Sequence, residues 1–271
     1  MSLSGPSDEP LKGLRLVFLR DSPGIRRASA LCHELGAEVL MAPVMDLVDP
    51  NPEDYHALNR TIDRLSDHYD WVILTSQEAV KRFFARCELR HQVLGGEHPQ
   101  FAVVGAETEA QLRRHGIRPA LTPGRNFSQS GLMEAFDQIP TLDGQRFLLP
   151  VAEEARRALE RYLASRGAVV DRLTLYRTVA LTLEPKVVRQ FTHKVIDGIF
   201  YTSPFSVKAL AQNLRQEHYA QFQGATAFSI GAQTSQALAD HGVKSIIESP
   251  TASIPALVQV AVSFWEKVKR S

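Results

Sequence analysis

Short runs of apolar residues alternate along the chain with stretches in which apolar residues recur every three or four positions. Short buried runs are typical of strands in a parallel sheet. The stretches between them have the spacing of helices that pack one face on such a sheet. The alternation predicts repeated βα units and doubly wound sheets. The predicted strands are 14–19, 39–41, 71–74, 101–104, 147–149, 169–175, 198–201, 227–230 and 243–247, and the clearest helices are 79–84, 107–115, 155–166, 207–214 and 234–241.

The same pattern occurs twice. Segment 70–76 resembles segment 197–203, and each ends in a Thr-Ser pair directly before a predicted helix. The Gly-Ala-x-Thr sequence at 105–108 returns in the same way at 231–234. A repeat of this length predicts two α/β domains related by duplication. Two similar lobes form a cleft, which is where ligands commonly bind.

Two segments, 40–52 and 171–185, interrupt the βα pattern at equivalent places in the two repeats. Both alternate apolar with polar residues and end in proline. They are either edge strands with ordinary loops or a pair of connectors between the domains. In the second case the chain leaves its first domain, builds the second one whole, and returns. The predicted parts are then 1–42 with 184–271 for a discontinuous first domain, 50–171 for the inserted domain, and 43–49 with 172–183 for the two-stranded connector.

Composition narrows the function without identifying it. The chain has 271 residues, 44% of them hydrophobic, which is enough for two cores, and its net charge of +1 argues against nucleic acid or an anionic membrane as a partner. No apolar run approaches the roughly 20 residues of a membrane span. The polar amino-terminal segment does not resemble a signal peptide, and two cysteines cannot form a disulfide framework. We therefore expect a monomeric protein of the cytoplasm.

The two Thr-Ser pairs are the first candidate ligand contacts. Thr75 with Ser76, and Thr202 with Ser203, lie at the carboxyl end of a strand just before a helix. Ligands of open α/β sheets bind at this edge, and the first turn of a helix favours anions. The alternative is that each serine only caps its helix. Finding the pair in both repeats favours a two-sided site for carboxylate or phosphate.

The Gly-Ala-x-Thr motifs occupy the next strand end in each repeat. Gly105 and Gly231 would allow a ligand to approach the backbone closely. Thr108 stands three residues before Gln111, which predicts a capping box that occupies the threonine hydroxyl. Thr234 lacks such a partner, although it could still cap its helix. We therefore favour Thr234 over Thr108 as a ligand contact.

Arg20 and Tyr176 are the remaining candidates. Arg20 ends the first strand at the same edge, where it is either a surface side chain or a fork that binds a carboxylate. Tyr176 lies in the second connector, where its phenol is either packed in a core or able to donate a proton. The chain lacks a phosphate-binding loop, a dinucleotide fingerprint, a serine-hydrolase elbow and histidine spacing for a metal. We expect neither a metal nor another cofactor.

Taken together in order and spacing, these motifs resemble those of the uroporphyrinogen-III synthase family, from about residue 11 to about residue 265. The resemblance implies two α/β lobes joined by a two-stranded ladder, and a cytoplasmic enzyme of tetrapyrrole synthesis that needs no cofactor. Its substrate would be hydroxymethylbilane, cyclised with loss of water and inversion of ring D. The matching segments are Leu19-Arg20, Leu74-Thr75-Ser76, Tyr201-Thr202-Ser203-Pro204, Val104-Gly105-Ala106-x-Thr108, Ser229-Ile230-Gly231-Ala232-Gln233-Thr234 and Leu175-Tyr176-Arg177-Thr178.

The resemblance also implies roles for single residues. Tyr176 becomes the candidate that protonates or orients the departing hydroxyl, and Ser203 and Thr234 become substrate contacts. Two other functions fit the duplicated layout and its anion-binding turns. One is a non-catalytic, two-lobe binding protein for an anionic small molecule, and the other is a two-lobe glycosyltransferase.

Overall fold

The computed structural model describes residues 9–90, 99–124, 126–193, 195–214 and 219–270. Strands and helices alternate along these residues, and the strands paired within each unit are parallel, which confirms the predicted α/β fold. None of the described helices is long and apolar enough to cross a membrane. The elements are β1 Arg15–Arg20, α1 Pro23–Glu34, β2 Glu38–Val48, α2 Pro52–Asp63, α3 Leu65–His68, β3 Trp71–Leu74, α4 Gln77–Leu89, β4 Gln100–Val103, α5 Ala106–Arg113, α6 Gln129–Phe136, β5 Arg146–Ala152, α7 Ala158–Ser165, β6 Val169–Ala180, α8 Pro185–His193, β7 Gly198–Tyr201, α9 Pro204–Asn213, α10 Tyr219–Gly224, β8 Thr226–Ser229, α11 Ala232–Asp240, β9 Ile246–Glu248 and α12 Ile254–Arg270.

The chain divides into two compact units. The first consists of residues 1–46 and 179–271, and the second consists of residues 47–178. The chain passes from the first unit to the second within β2 and returns within β6. Both termini therefore belong to the first unit, and the second is one continuous stretch of sequence.

The first unit contains five parallel strands in the order β2-β1-β7-β8-β9. Successive side chains of a strand point to opposite faces, so each face of this sheet has its own core. Val17 and Leu19 of β1 pack with α8, α9 and α11 on one face. Leu16 and Phe18 pack with α1 and α12 on the other.

The second unit repeats this arrangement with four parallel strands in the order β4-β3-β5-β6. Val72 and Leu74 of β3 pack against α2, α4 and α5. Trp71 and Ile73 face α6 and α7. The near-continuous burial of these strands is what their unbroken apolar runs predict, because helices cover both faces.

An aspartate fixes the start of the central strands in the same way in both units. In the second unit, the backbone N–H of Arg146 donates to the carboxylate of Asp70 at 2.7 Å. In the first, the backbone N–H of Arg15 donates to Asp197 at 2.7 Å. The backbone N–H of each aspartate donates in turn to the carbonyl of the same arginine. The duplication therefore extends to the hydrogen bonds that set strand register.

Candidate active site

The Thr-Ser pairs lie where the sequence predicts them, at the carboxyl ends of β3 and β7. Ser76 is the N-cap of α4, and its Oγ accepts the backbone N–H of Ala79 at 3.0 Å. Ser203 is the N-cap of α9, and its Oγ accepts the N–H of Ser206 at 3.2 Å. Capping is therefore one role of both serines. A capping hydroxyl uses its acceptor side, so its own proton can be donated elsewhere. The Ser203 hydroxyl donates to Met45 Sδ at 3.6 Å, a weak bond that an anionic ligand could replace.

Tyr176 lies beside the first of these caps. Its hydroxyl is 3.4 Å from Ser76 Oγ, a contact in which either atom can donate. The ring lies beneath the guanidinium of Arg82, 5.4 Å from its centroid. Tyr176 is 9% exposed, so the phenol is mostly packed and only a small part of the side chain reaches solvent. The structure thus shows the packing of the ring together with a contact of the hydroxyl, and the proton-donating role stays a prediction.

Arg82 holds the tyrosine ring in place through its own contacts. Its guanidinium donates to Glu78 at 2.6 Å, to Asp49 at 2.7 Å and to the carbonyl of Leu47 at 2.8 Å. These donations leave it little freedom to move away from the ring of Tyr176. Nothing in the spacing of the sequence indicates this arrangement, because Arg82 is one of several arginines on exposed helix faces.

The predicted capping box at Thr108 is wrong. Helix α5 begins at Ala106 with Gly105 as its N-cap, so Thr108 is already inside the first turn. The duplicate is the same, since Gly231 is the N-cap of α11 and Thr234 lies inside its first turn. Neither glycine has a side chain that could cap, and the helices start two residues before the threonines. The difference from Gln111 to Ala237 therefore does not distinguish the two threonines.

A hydroxyl network that the sequence did not reveal surrounds Gly231. Ser229 is fully buried, and its Oγ accepts the backbone N–H of Gly231 at 3.3 Å. Ser235 donates to Glu248 at 2.6 Å and lies 3.0 Å from Ser229 Oγ. Thr234 is 2% exposed. The network fixes the turn between β8 and α11, which would hold the backbone N–H groups of this turn in a constant position.

Phe127 is a second feature that the sequence pattern does not predict. Its side chain is 57% exposed although it lies against Gly105, where a Cβ atom would come within 3.5 Å of the phenylalanine Cβ. Nearby, the side chain of Gln77 donates to Glu107 at 2.6 Å and links the first turns of α4 and α5. No local pattern in the sequence indicates this contact, because Phe127 and Gly105 are brought together only by the fold.

Each unit brings several of the predicted residues to one sheet edge. In the second unit, Thr75, Ser76 and Gly105 follow the adjacent strands β3 and β4, and Tyr176 contacts Ser76 from β6. In the first unit, β1, β7 and β8 are adjacent. β1 ends at Arg20, β7 ends directly before Thr202 and Ser203, and β8 ends two residues before Gly231, the N-cap of the helix that contains Thr234.

Arg20 is the one predicted cation at this edge of the first unit. The residue is half-buried, and no hydrogen bond or ion pair of its side chain is found in the described part of the chain. Groups of three or more side chains suited to a metal ion are likewise absent from the described residues. The chemistry that the two edges offer is hydrogen-bond donation to anions, together with one phenol.

Comparison with known proteins places this chain among the proteins of one family. Residues 26–259 match the family described as uroporphyrinogen-III synthase HemD. A uroporphyrinogen-III synthase of Synechococcus elongatus is 27% identical, over 84% of this chain and 87% of that protein. A protein of Methanothermobacter thermautotrophicus, provisionally named as the same enzyme, is 28% identical over 91% of this chain and 98% of its own length.

Solved structures share the fold. A mutant uroporphyrinogen III synthase of Thermus thermophilus aligns with a TM-score of 0.66, over 96% of this chain and all 100% of that one, at 18% identity. A uroporphyrinogen-III synthetase of Helicobacter pylori aligns with a TM-score of 0.58, over 93% of this chain and 99% of that one, at 16% identity. The family match covers most of the sequence and the fold agrees along its length. The chain belongs to the uroporphyrinogen-III synthase family.

Proposed function

We propose that this protein cyclises hydroxymethylbilane, with loss of water and inversion of ring D, to give uroporphyrinogen III. Family membership supports the reaction. The observation that carries the proposal is the placement of the Tyr176 hydroxyl 3.4 Å from Ser76 Oγ, at the edge of the sheet where ligands of such folds bind. Membership in this family also favours the enzyme over a binding protein or a glycosyltransferase.

The reaction needs little from a catalytic group. Electron-rich pyrroles expel the hydroxyl from the ring A hydroxymethyl carbon, and a proton from Tyr176 would let it depart as water. The substituted carbon of ring D then attacks the resulting azafulvene and forms a spiro intermediate. The bond between the spiro carbon and the methylene bridge of ring C then breaks. That methylene bonds to the unsubstituted α-carbon of ring D, which loses its proton, so ring D is inverted. Positioning of the reacting carbons is therefore the main task of the protein.

The carboxylates of the bilane supply the means of positioning. We propose that Thr75, Ser76 and Gly105 bind acetate and propionate groups at the edge of the second unit, where the first turns of α4 and α5 present backbone N–H groups. Polar hydroxyls and helix starts of this kind hold carboxylates without a metal.

The first unit would hold further carboxylates at its own sheet edge. Arg20 would bind one in a forked geometry, and Thr202 and Ser203 would donate to others. Gly231, whose N–H already donates to Ser229 Oγ, would let the ligand approach the backbone closely, and Thr234, which is 2% exposed, would contact it from inside the first turn of α11. The buried hydroxyls around Gly231 support this assignment, because they fix the backbone to which a ligand would bind.

Phe127 would supply the apolar contact. An exposed aromatic ring beside Gly105 suits a pyrrole, since offset stacking of two rings is favourable. The expectations of a monomer, a cytoplasmic location and a reaction without cofactor stay predictions.

The test is an isomer assay. Hydroxymethylbilane closes spontaneously to the type I isomer, so purified protein should shift the product to type III, measured by chromatographic separation of the oxidised porphyrins. A sample without protein gives the background. Type I product alone would exclude the enzyme, and saturable binding of a nucleotide sugar with no effect on the bilane would favour the glycosyltransferase.

A further inference from the structure

A cavity of about 360 Å³ lies in the second unit, away from the candidate active site. His68 and Tyr69 line it just before β3 begins, and Asp171 lines it near the start of β6. The cavity is therefore at the amino ends of the strands, whereas Ser76 and Gly105 follow their carboxyl ends. Its remaining walls come from the end of α2, and the lining residues there are Ala57, Arg60, Thr61, Asp63 and Arg64.

The two arginines of this cavity are not neutralised by the carboxylates beside them. Arg60 and Arg64 are four residues apart, so they share a helix face, where like charges repel. Asp63 is bound by the guanidinium of Arg90 through both carboxylate oxygens. No hydrogen bond or ion pair of Arg60 is found within the residues that the structure describes. Positive charge thus remains at the cavity wall.

The carboxylate of Asp171, like that of Asp63, is already bound by other side chains. It accepts the hydroxyl proton of Tyr69 at 2.9 Å and lies 3.8 Å from the guanidinium of Arg146. The Nε atom of Arg146 is itself buried, without a hydrogen-bond partner among the described residues. The acidic groups near the cavity are therefore already used, and the guanidiniums outnumber them.

His68 is placed between two donors. Its Nε2 is 2.6 Å from Arg146 Nη2, and its Nδ1 is 3.1 Å from Arg64 Nη2. A guanidinium can only donate, whereas a neutral imidazole has one accepting nitrogen. One of the two contacts therefore sets N–H against N–H. The shorter distance assigns the lone pair to Nε2, which leaves the Nδ1 proton and the Arg64 guanidinium side by side without an acceptor between them.

An anion resolves this mismatch. We propose that the cavity binds a doubly charged oxyanion of the phosphate or sulfate type, held by Arg60, Arg64 and the Nδ1–H of His68. Charge-assisted bonds from guanidinium groups to such oxygens are the strong ones. The volume exceeds that of an inorganic ion, so it leaves room for the organic part of a phosphate ester. The site is separate from the substrate contacts proposed above.

Anion binding can be measured through the pKa of His68. That pKa is lowered by burial and by the charges of Arg146 and Arg64, while Asp171 opposes the shift. A bound anion adds negative charge and so raises the pKa of His68. Binding therefore takes up a proton, and affinity increases as the pH falls. Sulfate is the probe of choice, because its own charge stays constant across the neutral range.

The experiment is a sulfate titration of the full chain by NMR, at constant ionic strength set with chloride. We expect saturable binding that raises the pKa of His68. Arg60→Gln and Arg64→Gln should each weaken binding about tenfold or more, since each removes a charge-assisted hydrogen bond to the anion. Arg161→Gln removes an exposed arginine of α7 and is the matched control, for which affinity should not change.

Three outcomes would overturn the proposal. The first is that the Arg64→Gln variant binds sulfate as tightly as the unmodified protein does. The second is that chloride shifts the pKa of His68 as much as sulfate does. The third is that succinate binds as tightly as sulfate, which would reassign the ligand to the carboxylates. Both arginines are exposed, so circular dichroism should show folded variants. The measurement involves no bilane, and its result is independent of the isomer assay.

Discussion

Tyr176 combines a packed ring with a hydroxyl that contacts Ser76. Residues of this kind are only partly predictable from sequence. The connector position and the family motif both indicate Tyr176. Its partner is 100 residues away in the chain, and that contact depends on the order of β3, β5 and β6 in the sheet. Arg82 and Phe127 have no sequence signature at all, because the role of each comes from where its side chain lies.

Replacement of Tyr176 by phenylalanine keeps the ring beneath Arg82 and removes only the hydroxyl. We expect turnover of hydroxymethylbilane to fall about 100-fold, the usual scale of acid-base assistance. Tyr162→Phe is the control, and turnover should not change in it. This substitution also removes a hydrogen-bonded hydroxyl, which donates to the Met133 carbonyl and to Asp137, but Tyr162 lies on α7. Unchanged turnover in the Tyr176→Phe variant would remove this residue from the mechanism.

Phe127 is expected to act on substrate affinity. Phe127→Ala should raise the KM for hydroxymethylbilane about fivefold, since stacking of aromatic rings contributes roughly 1 kcal/mol, and kcat should change little. Phe127→Trp should restore the affinity. Leu89→Ala provides the comparison, because that side chain is 69% exposed and lies at the other end of α4. A KM that is the same in all variants would argue against stacking.

The starts of the helices show which local signals in the sequence are reliable. The Ser203-Pro204 pair predicts its cap correctly, because serine accepts a backbone N–H and proline fits the first turn. The capping-box prediction at Thr108 fails for a physical reason. Gly105 can take the extended conformation of an N-cap without supplying a side chain, so the helix starts earlier. A four-residue motif cannot indicate which of two competing starts is used.

Two glycines that follow helices of the second unit differ in how closely other atoms approach them. Gly116 and Gly167 both have positive φ, of 76° and 82°, but a Cβ at Gly167 would lie 2.2 Å from Asp143 Oδ1 and 3.1 Å from its Cα. A Cβ at Gly116 would meet nothing within 4 Å. Gly116→Ala should cost about 1–2 kcal/mol of stability from backbone strain alone. Gly167→Ala should cost more, because the turn must also shift.

Denaturant midpoints measure this difference. Gly124→Ala is the control, because that glycine lies in the open without positive φ. It should leave the midpoint almost unchanged. Equal midpoints for Gly116→Ala and Gly167→Ala would show that Asp143 moves aside freely, and that the close approach carries no cost.

At the scale of the whole molecule, the parallel α/β architecture follows directly from the duplicated apolar pattern, since each repeat contains the same series of buried runs. The cavity beside His68 does not follow from it. Arg60 belongs to α2 and Arg64 is the C-cap of that helix, whereas Arg146 belongs to β5 and Asp171 to β6. Only the packing of these elements brings the four residues together. Long-range arrangements of charge of this kind have no local signal.

The two cysteines allow the opening of each unit to be measured separately. Cys32 lies in a core of the first unit and Cys87 in a core of the second, and burial raises the pKa of each thiol to about 12. Thiolates are then scarce at neutral pH, and alkylation requires opening of the surrounding core. We expect neither thiol to be labelled in native buffer.

Labelling in increasing denaturant, located by mass spectrometry of peptides, should give different midpoints for Cys32 and Cys87. The reason is that each core is formed by its own unit. The unmodified chain carries both probes, so no variant is needed. Coincident midpoints and rates would instead indicate that the two units unfold as one.

The insertion of one unit into the other also determines the order in which they can be completed during synthesis. The second unit is whole once residue 178 has left the ribosome, whereas the first then has only β1 and β2 of its five strands. In the finished sheet β1 lies between β2 and β7, and β7 begins only at Gly198. Strand β1 must therefore keep one edge unpaired while the second unit folds behind it.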